Sequence, residues 1–157
     1  MVYANGTGHV ALLVVIEHQE RLLGVANTHV KWGPPPGAPV SVAQAEALLD
    51  ALERCEPACA GWVVCGDFNA RPDSTLVGLV RARGLRDSYE GQEAFTCNAN
   101  AEAKRIDFIF HSASLSATPN PLPSITDETV LPSAEEPSDH LAIGAVLAWA
   151  PSSIAGG

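Results

Sequence analysis

Apolar and polar residues divide this chain into segments with two periods. His9 to Ile16 is nearly all apolar, as a strand covered on both faces would be. Glu17-His18-Gln19-Glu20 interrupts it, and Arg21 to Asn27 resumes strand character, so the two segments predict a hairpin. Gly33-Pro34-Pro35-Pro36-Gly37 is incompatible with regular structure and predicts a rigid surface loop. Ser41 and Gln44 have capping-box spacing, and Ala45, Leu48, Leu49 and Leu52 follow at helical spacing, predicting a helix to about Arg54. Trp62 to Cys65 reads as a short buried strand, and Ser74 to Arg83 as a second helix stopped by Gly84.

Strand character returns from Phe95. In Arg105-Ile106-Asp107-Phe108-Ile109-Phe110 the residues Ile106, Phe108 and Phe110 share one side and Asp107 takes the other. Residues 119–137 carry Pro119, Pro121, Pro123, Pro132 and Pro137 and read as an ordered connector or edge segment. His140 to Trp149 predicts a closing apolar strand, with residues 151–157 as a frayed tail. Strands and helices alternate only in part, which points to an α/β architecture of two packed sheets flanked by helices.

Composition narrows the class. At 157 residues and 46% hydrophobic, the chain holds one domain's worth of core. No apolar run reaches the about 18 residues of a membrane span, and the first residues lack a signal peptide's pattern. Cys55, Cys59, Cys65 and Cys97 make no C-x-x-C pair, so buried reduced thiols are expected rather than a disulfide or zinc site, and a cytoplasmic location with them. The net charge of −9 argues against a broad surface for duplex nucleic acid. Arg71, Arg81, Arg83, Arg86, Lys104 and Arg105 cluster in sequence, either as a strip for a short phosphate-bearing ligand or as a solvated helix face.

Candidate chemistry collects where strands end. Gly66-Asp67-Phe68-Asn69 follows the Trp62–Cys65 strand, so Asp67 and Asn69 should project together while Phe68 packs inward. A carboxylate beside an amide suits a hard cation, a phosphate oxygen or an attacking water, although Asp and Asn also form plain turns. Asn27-Thr28-His29 ends the strand before it, Asp107 interrupts an apolar strand, and Ser138-Asp139-His140 opens the last one. Each has a dull counterpart: a strand end, a backbone-bonded Asp, a turn. Together they offer the inventory for metal-assisted phosphoester hydrolysis. An ionised Asp107 in an apolar strand needs a partner, and His29 and His140 are the candidates.

These four motifs, in this order, resemble those of the endonuclease/exonuclease/phosphatase superfamily. The chain is most similar to its CCR4-type deadenylase, nocturnin and 2′,5′-phosphodiesterase branch, through Ala26-Asn27-Thr28-His29 with Trp32, Pro72-Asp73-Ser74, and Leu131-Pro132-Ser133 ahead of Pro137-Ser138-Asp139-His140. The resemblance implies a DNase I-like four-layer α/β sandwich. It implies that Asp67 orients or deprotonates the water and that Asn69 holds a phosphate oxygen or a second metal. Asp139 would bind Mg²⁺ or Mn²⁺, His140 would stabilise the phosphorane with Asp107 orienting it, and His29 would meet the phosphate from the opposite side. Arg71 and Asn98 are candidate substrate contacts.

The superfamily's first half carries an Asn and a metal-binding Glu that have no counterpart here. Residues 1–150 are therefore expected to form a partial domain lacking its N-terminal part. The expected activity is a metal-dependent phosphodiesterase acting on RNA 3′ ends or a small adenylate. The alternatives are a phosphomonoesterase on a nucleotide or sugar phosphate, and an inactive fragment serving as a binding module. The expected partner is a phosphate-bearing substrate, single-stranded RNA or a small nucleotide, with no membrane involved.

Overall fold

The two N-terminal apolar segments do form a hairpin. In the computed structural model, which describes residues 1–33 and 39–151, β1 (Ala11–His18) pairs antiparallel with β2 (Arg21–His29). Gln19 and Glu20 make its two-residue turn with φ of 52° and 60°, the left-handed geometry that matches strand twist. The strand extends to His18, two residues past the predicted limit, because Glu17 and His18 still pair with Leu22 and Arg21.

From β2 the chain passes through helix α1 (Pro39–Glu53) to β3 (Gly61–Asp67), which lies parallel to β2 as a crossover connection requires. Helix α2 (Thr75–Ala82) leads to β4 (Leu85–Asp87), and β5 (Cys97–Ala99) pairs with β6 (Glu102–Lys104). Next, β7 (Asp107–Ser112) runs antiparallel between β3 and β4. A second hairpin, β8 (Leu115–Pro119) with β9 (Ala145–Trp149), completes the elements. The main sheet has the order β1-β2-β3-β7-β4.

Each face of that sheet has its own core. Leu48, Leu49 and Leu52 of α1 and Leu76, Val77 and Val80 of α2 pack onto Val64, Phe68, Phe108 and Phe110. The Phe108 and Phe110 rings stack 4.9 Å apart, and Phe68 meets both edge-on. On the opposite face Val63, Ile109, Tyr89 and Leu115 pack with Ile143, Leu147 and Trp149, so the β8–β9 hairpin covers this side. The alternation predicted for the Asp107 strand is therefore real, and Asp107 shares the second face with Ile109.

Several expectations require correction. Helix α1 begins at Pro39, a residue suited to the first turn because it has no N–H to satisfy. Ser41 is consequently inside the helix rather than capping it. Gln44 is fully buried, with Oε1 accepting from Lys31 N at 2.8 Å and Nε2 donating to Thr7 Oγ1 at 3.0 Å. Helix α2 does follow its prediction: Ser74 Oγ accepts from Val77 N, and Gly84 leaves the helix at φ 83°. The closing strand covers only Ala145–Trp149, because residues 140–141 pair with β5 while 145–149 pair with β8. Strand β1 is covered on one face only: Leu13 packs inward, while Val10, Leu12, Val14 and Ile16 are exposed. The predicted proline loop and tail fall largely on 34–38 and 152–157, outside the described residues.

Candidate active site

The parallel contact of β2 with β3 and the antiparallel contact of β3 with β7 bring three strand ends to one edge. His29 is registered opposite Asp67, and Asp67 opposite Asp107. The approach is tight just before Asp67. Gly66 has φ 133°, and a Cβ there would stand 1.9 Å from the Thr28 carbonyl oxygen. Glycine at this position allows the backbone geometry that delivers Asp67 beside His29.

Past Gly66, Phe68 turns into the core, as predicted, and the chain bends at Asn69, whose φ is 48°. Asp67 Oδ1 accepts from Asn69 N at 2.7 Å. The tetrad is thus at once a turn and a candidate site. Asn69 Nδ2 donates to the Val30 carbonyl at 2.9 Å and lies 3.0 Å from His29 Nε2. His29 Nε2 is also 3.4 Å from Asp67 Oδ2, so His29, Asp67 and Asn69 form one connected group.

Asp107 finds its partner in the other candidate histidine. His140 Nδ1 lies 2.9 Å from Asp107 Oδ2 and 3.1 Å from Oδ1. The Thr96 hydroxyl donates to Asp107 Oδ2 at 2.7 Å while accepting from the Ile106 and Asp107 amides. Thr96 is fully buried, so Asp107 is held from below by a fixed hydroxyl and from the side by an imidazole. Nothing in the spacing of Phe95-Thr96-Cys97 identifies this role, because it arises from hydrogen bonds to Ile106 and Asp107, 10 and 11 residues away.

Asp67, Asp107 and His140 offer ligand atoms that all lie within 4.8 Å of one another. Burial pushes the Asp67 carboxyl above its ordinary value; the Asn69 amide opposes the rise, Asp107 adds to it, and His29 and His140 oppose it. Facing carboxylates at a partly buried edge are the donor set that a hard divalent cation relieves. Asp139 stands apart from that trio, grouped with Cys97 and His140 within the same 4.8 Å limit. Burial also pushes the Cys97 thiol up.

The remaining candidates take other places. Asn98 is buried, and its Nδ2 donates to the carbonyls of Thr126 and Thr129 at 3.0 and 2.5 Å, so it holds the 126–129 turn. Arg71 is ion-paired with Glu102, both half-exposed. The basic residues clustered in sequence do not form a free positive strip. Arg105 is buried against Asp87 at 2.6 Å, Arg81 reaches Asp87 and Glu90, Arg83 reaches Asp50 and Glu53, and Lys104 reaches Glu102. Among the described residues, no helix is long and apolar enough to cross a membrane.

The chain is similar to known proteins. The sequence profile of the Endonuclease/Exonuclease/phosphatase family matches residues 2–140. The carbon catabolite repressor protein 4 homolog 4 of Arabidopsis thaliana is 31% identical over an alignment covering 80% of this chain and 37% of its own. The 2′,5′-phosphodiesterase 12 of Homo sapiens is 26% identical, covering 89% of this chain and 28% of its own. Among solved structures, the human nocturnin catalytic domain, with bound sulfate, superposes with a TM-score of 0.72 at 24% identity, covering 92% of this chain and 54% of that one. The chain therefore spans about a quarter to two-fifths of these curated relatives and about half of the nocturnin domain. With a DNase I-like fold, the ordered motifs and a profile match over most of its length, the chain belongs to the Endonuclease/Exonuclease/phosphatase family, on its CCR4/nocturnin side.

Proposed function

We propose that this chain carries the water- and phosphate-handling edge of a divalent-metal-dependent phosphodiesterase acting on RNA 3′ ends or a small adenylate. The observation that supports it is the convergence of Asp67, Asp107 and His140 at the ends of β3, β7 and the β5-paired segment, with His29 and Asn69 alongside. Asp67 would receive the proton of the attacking water. Its raised affinity for a proton, caused chiefly by burial, suits a general base better than an ordinary exposed carboxylate. Asn69, anchored to Val30, keeps its amide at the Asp67 turn and close to a phosphate bound there.

On the other side of the cluster, Asp107 accepts from His140 Nδ1 and so orients the ring. Nε2 would then donate to a phosphoryl oxygen as negative charge develops in the transition state. Thr96 prevents the Asp107 carboxylate from swinging away. A Mg²⁺ or Mn²⁺ ion held at Asp67, with Asp139 and Asn69 reaching it from the two sides by side-chain movement, would supply charge neutralisation for the phosphoryl group.

A second reading, a phosphomonoesterase on a nucleotide or sugar phosphate, is favoured by the pairing of the basic residues, which leaves few cations for a long polyanion. Fold neighbours include a mannosyl-6-phosphatase from Bacteroides thetaiotaomicron and ANGEL2, a 2′,3′-cyclic phosphatase. Incubation of the chain with oligo(A) and Mg²⁺ separates the two. Release of mononucleotide, abolished by Asp67→Ala, supports the diesterase. Hydrolysis confined to phosphomonoesters supports the second reading, and no metal-dependent hydrolysis of any phosphoester overturns both.

A further inference from the structure

We propose that Cys97, Asp139 and His140 form an inhibitory metal site selective for thiophilic cations such as Zn²⁺. The three residues come from two segments that meet as a single β-bridge between Cys97 and His140. Asn98 N donates to the Asp139 carbonyl at 3.0 Å, and Leu141 N donates to the Thr96 carbonyl at 2.7 Å. Those two bonds flank the Cys97–His140 pair, which makes it a non-hydrogen-bonded antiparallel pair. In such a pair the Cα atoms approach to about 4.5 Å and the side chains emerge on the same face. The thiol and imidazole are thereby forced together by backbone pairing, and Asp139 completes a trio whose ligand atoms all lie within 4.8 Å.

The chemistry of the trio differs from that of the neighbouring carboxylates. Zinc takes sulfur at about 2.3 Å and imidazole nitrogen at about 2.0–2.1 Å in tetrahedral sites, which spaces the donors by about 3.5–4 Å. From a spacing within 4.8 Å, the closure needed is at most about 1.3 Å. On binding, the sulfur–hydrogen bond is exchanged for a sulfur–zinc bond and the proton passes to solvent. A thiolate, a carboxylate and a neutral imidazole then balance the dication's charge, and water fills the fourth position.

The surroundings supply the support a metal site needs. His140 Nδ1 is engaged by Asp107, which leaves Nε2 as the ligand and fixes its tautomer through a carboxylate–histidine contact. Mg²⁺ prefers oxygen and has no use for the thiol, so Cys97 separates the two kinds of ion. A search for C-x-x-C spacing misses this site because its ligands lie on different strands. Through His140 the inference meets the proposed function and rests on it in one respect only: bound zinc would withdraw that imidazole and inhibit hydrolysis.

The test is titration of the full chain with Co²⁺ and Zn²⁺. Wild type should show the near-ultraviolet sulfur-to-cobalt charge-transfer absorption. The band should persist in Cys55→Ala/Cys59→Ala/Cys65→Ala, which removes the other three thiols, and vanish in Cys97→Ser. By calorimetry, Cys97→Ser should lower Zn²⁺ affinity by at least about 10-fold, the scale set by losing a supporting group of a metal site, and change Mn²⁺ affinity little. A cobalt band that survives Cys97→Ser, or an unchanged Zn²⁺ affinity, overturns the proposal. Cys97→Ala, with circular dichroism as the check on folding, replaces the serine variant if that one unfolds. These readouts need no hydrolysis, so they decide the zinc site even if the phosphoesterase reading fails. Where hydrolysis is present, Zn²⁺ should inhibit wild type and spare Cys97→Ser.

Discussion

Substituting Gly66 by alanine tests the link between the fold and the candidate site. The added Cβ would lie 1.9 Å from the Thr28 carbonyl oxygen, a backbone atom of the neighbouring parallel strand that no rotamer change can move. Relief requires β2 and β3 to part by more than about 1 Å at a point where strands normally sit about 4.8 Å apart. One or two ladder hydrogen bonds, at about 1 kcal/mol each, are lost in that movement. Alanine at φ 133° adds backbone strain of about 1–3 kcal/mol. The sum, about 2–5 kcal/mol, is a large part of the 5–15 kcal/mol that holds an ordinary domain together. Urea unfolding followed by circular dichroism should show it, and thermal unfolding should show a fall in Tm of about 4–20 °C for a chain of this size. Gly78→Ala is the control: it sits inside α2 with nothing within 4 Å, so it should stabilise by about 0.5–1 kcal/mol. A Gly66→Ala loss below about 1 kcal/mol would refute the reasoning, since the strands would then have room that the geometry denies.

Three further outcomes follow from the same structure. Arg105→Met should cost up to about 3–5 kcal/mol in chemical unfolding by removing the closest cation of the fully buried Asp87 carboxylate, leaving it Arg81 at 3.7 Å, and adding Asp87→Leu should recover most of that loss. Thr96→Val should cost about 1–3 kcal/mol by stranding the Ile106 and Asp107 amides; if the proposed function holds, it should also reduce turnover by freeing Asp107. Asp67→Asn should raise Tm near neutral pH in the presence of chelator, because the folded state holds the Asp67 carboxyl above its ordinary value. A folded-state value that is raised means stability falls as pH climbs from the unfolded value towards the folded one, and the penalty persists above it. The advantage of the Asn variant should therefore disappear in acid, below the ordinary carboxylate range, and a Tm gain independent of pH would contradict this account.

Local signals in the chain were sufficient for much of the architecture. The β1–β2 hairpin, the Ser74 cap and Gly84 stop of α2, and the inward Phe68, Phe108 and Phe110 all depend on neighbours within a few residues. Propensity and period act at that range, so the sequence displays them. The capping box at Ser41 misled because Gln44 instead buries its amide against Lys31 and Thr7, partners 13 and 37 residues away. The sequence likewise determined which residues could carry chemistry, since polar groups at the ends of apolar strands stand out wherever the strands go.

Tertiary structure decided how those groups are paired. His29 and His140 were equivalent candidates for Asp107 until the β3–β7 register and the Cys97–His140 bridge assigned His140 to Asp107 and His29 to Asp67. The run of arginines and lysine looked like a strip in one dimension, yet most of them are neutralised by carboxylates up to 33 residues distant. Cys97, unremarkable by spacing, gained a histidine and an aspartate only through cross-strand pairing. Order along the chain names the groups; the strand register, set by the burial of each sheet face and by the close approach at Gly66, determines which of them meet.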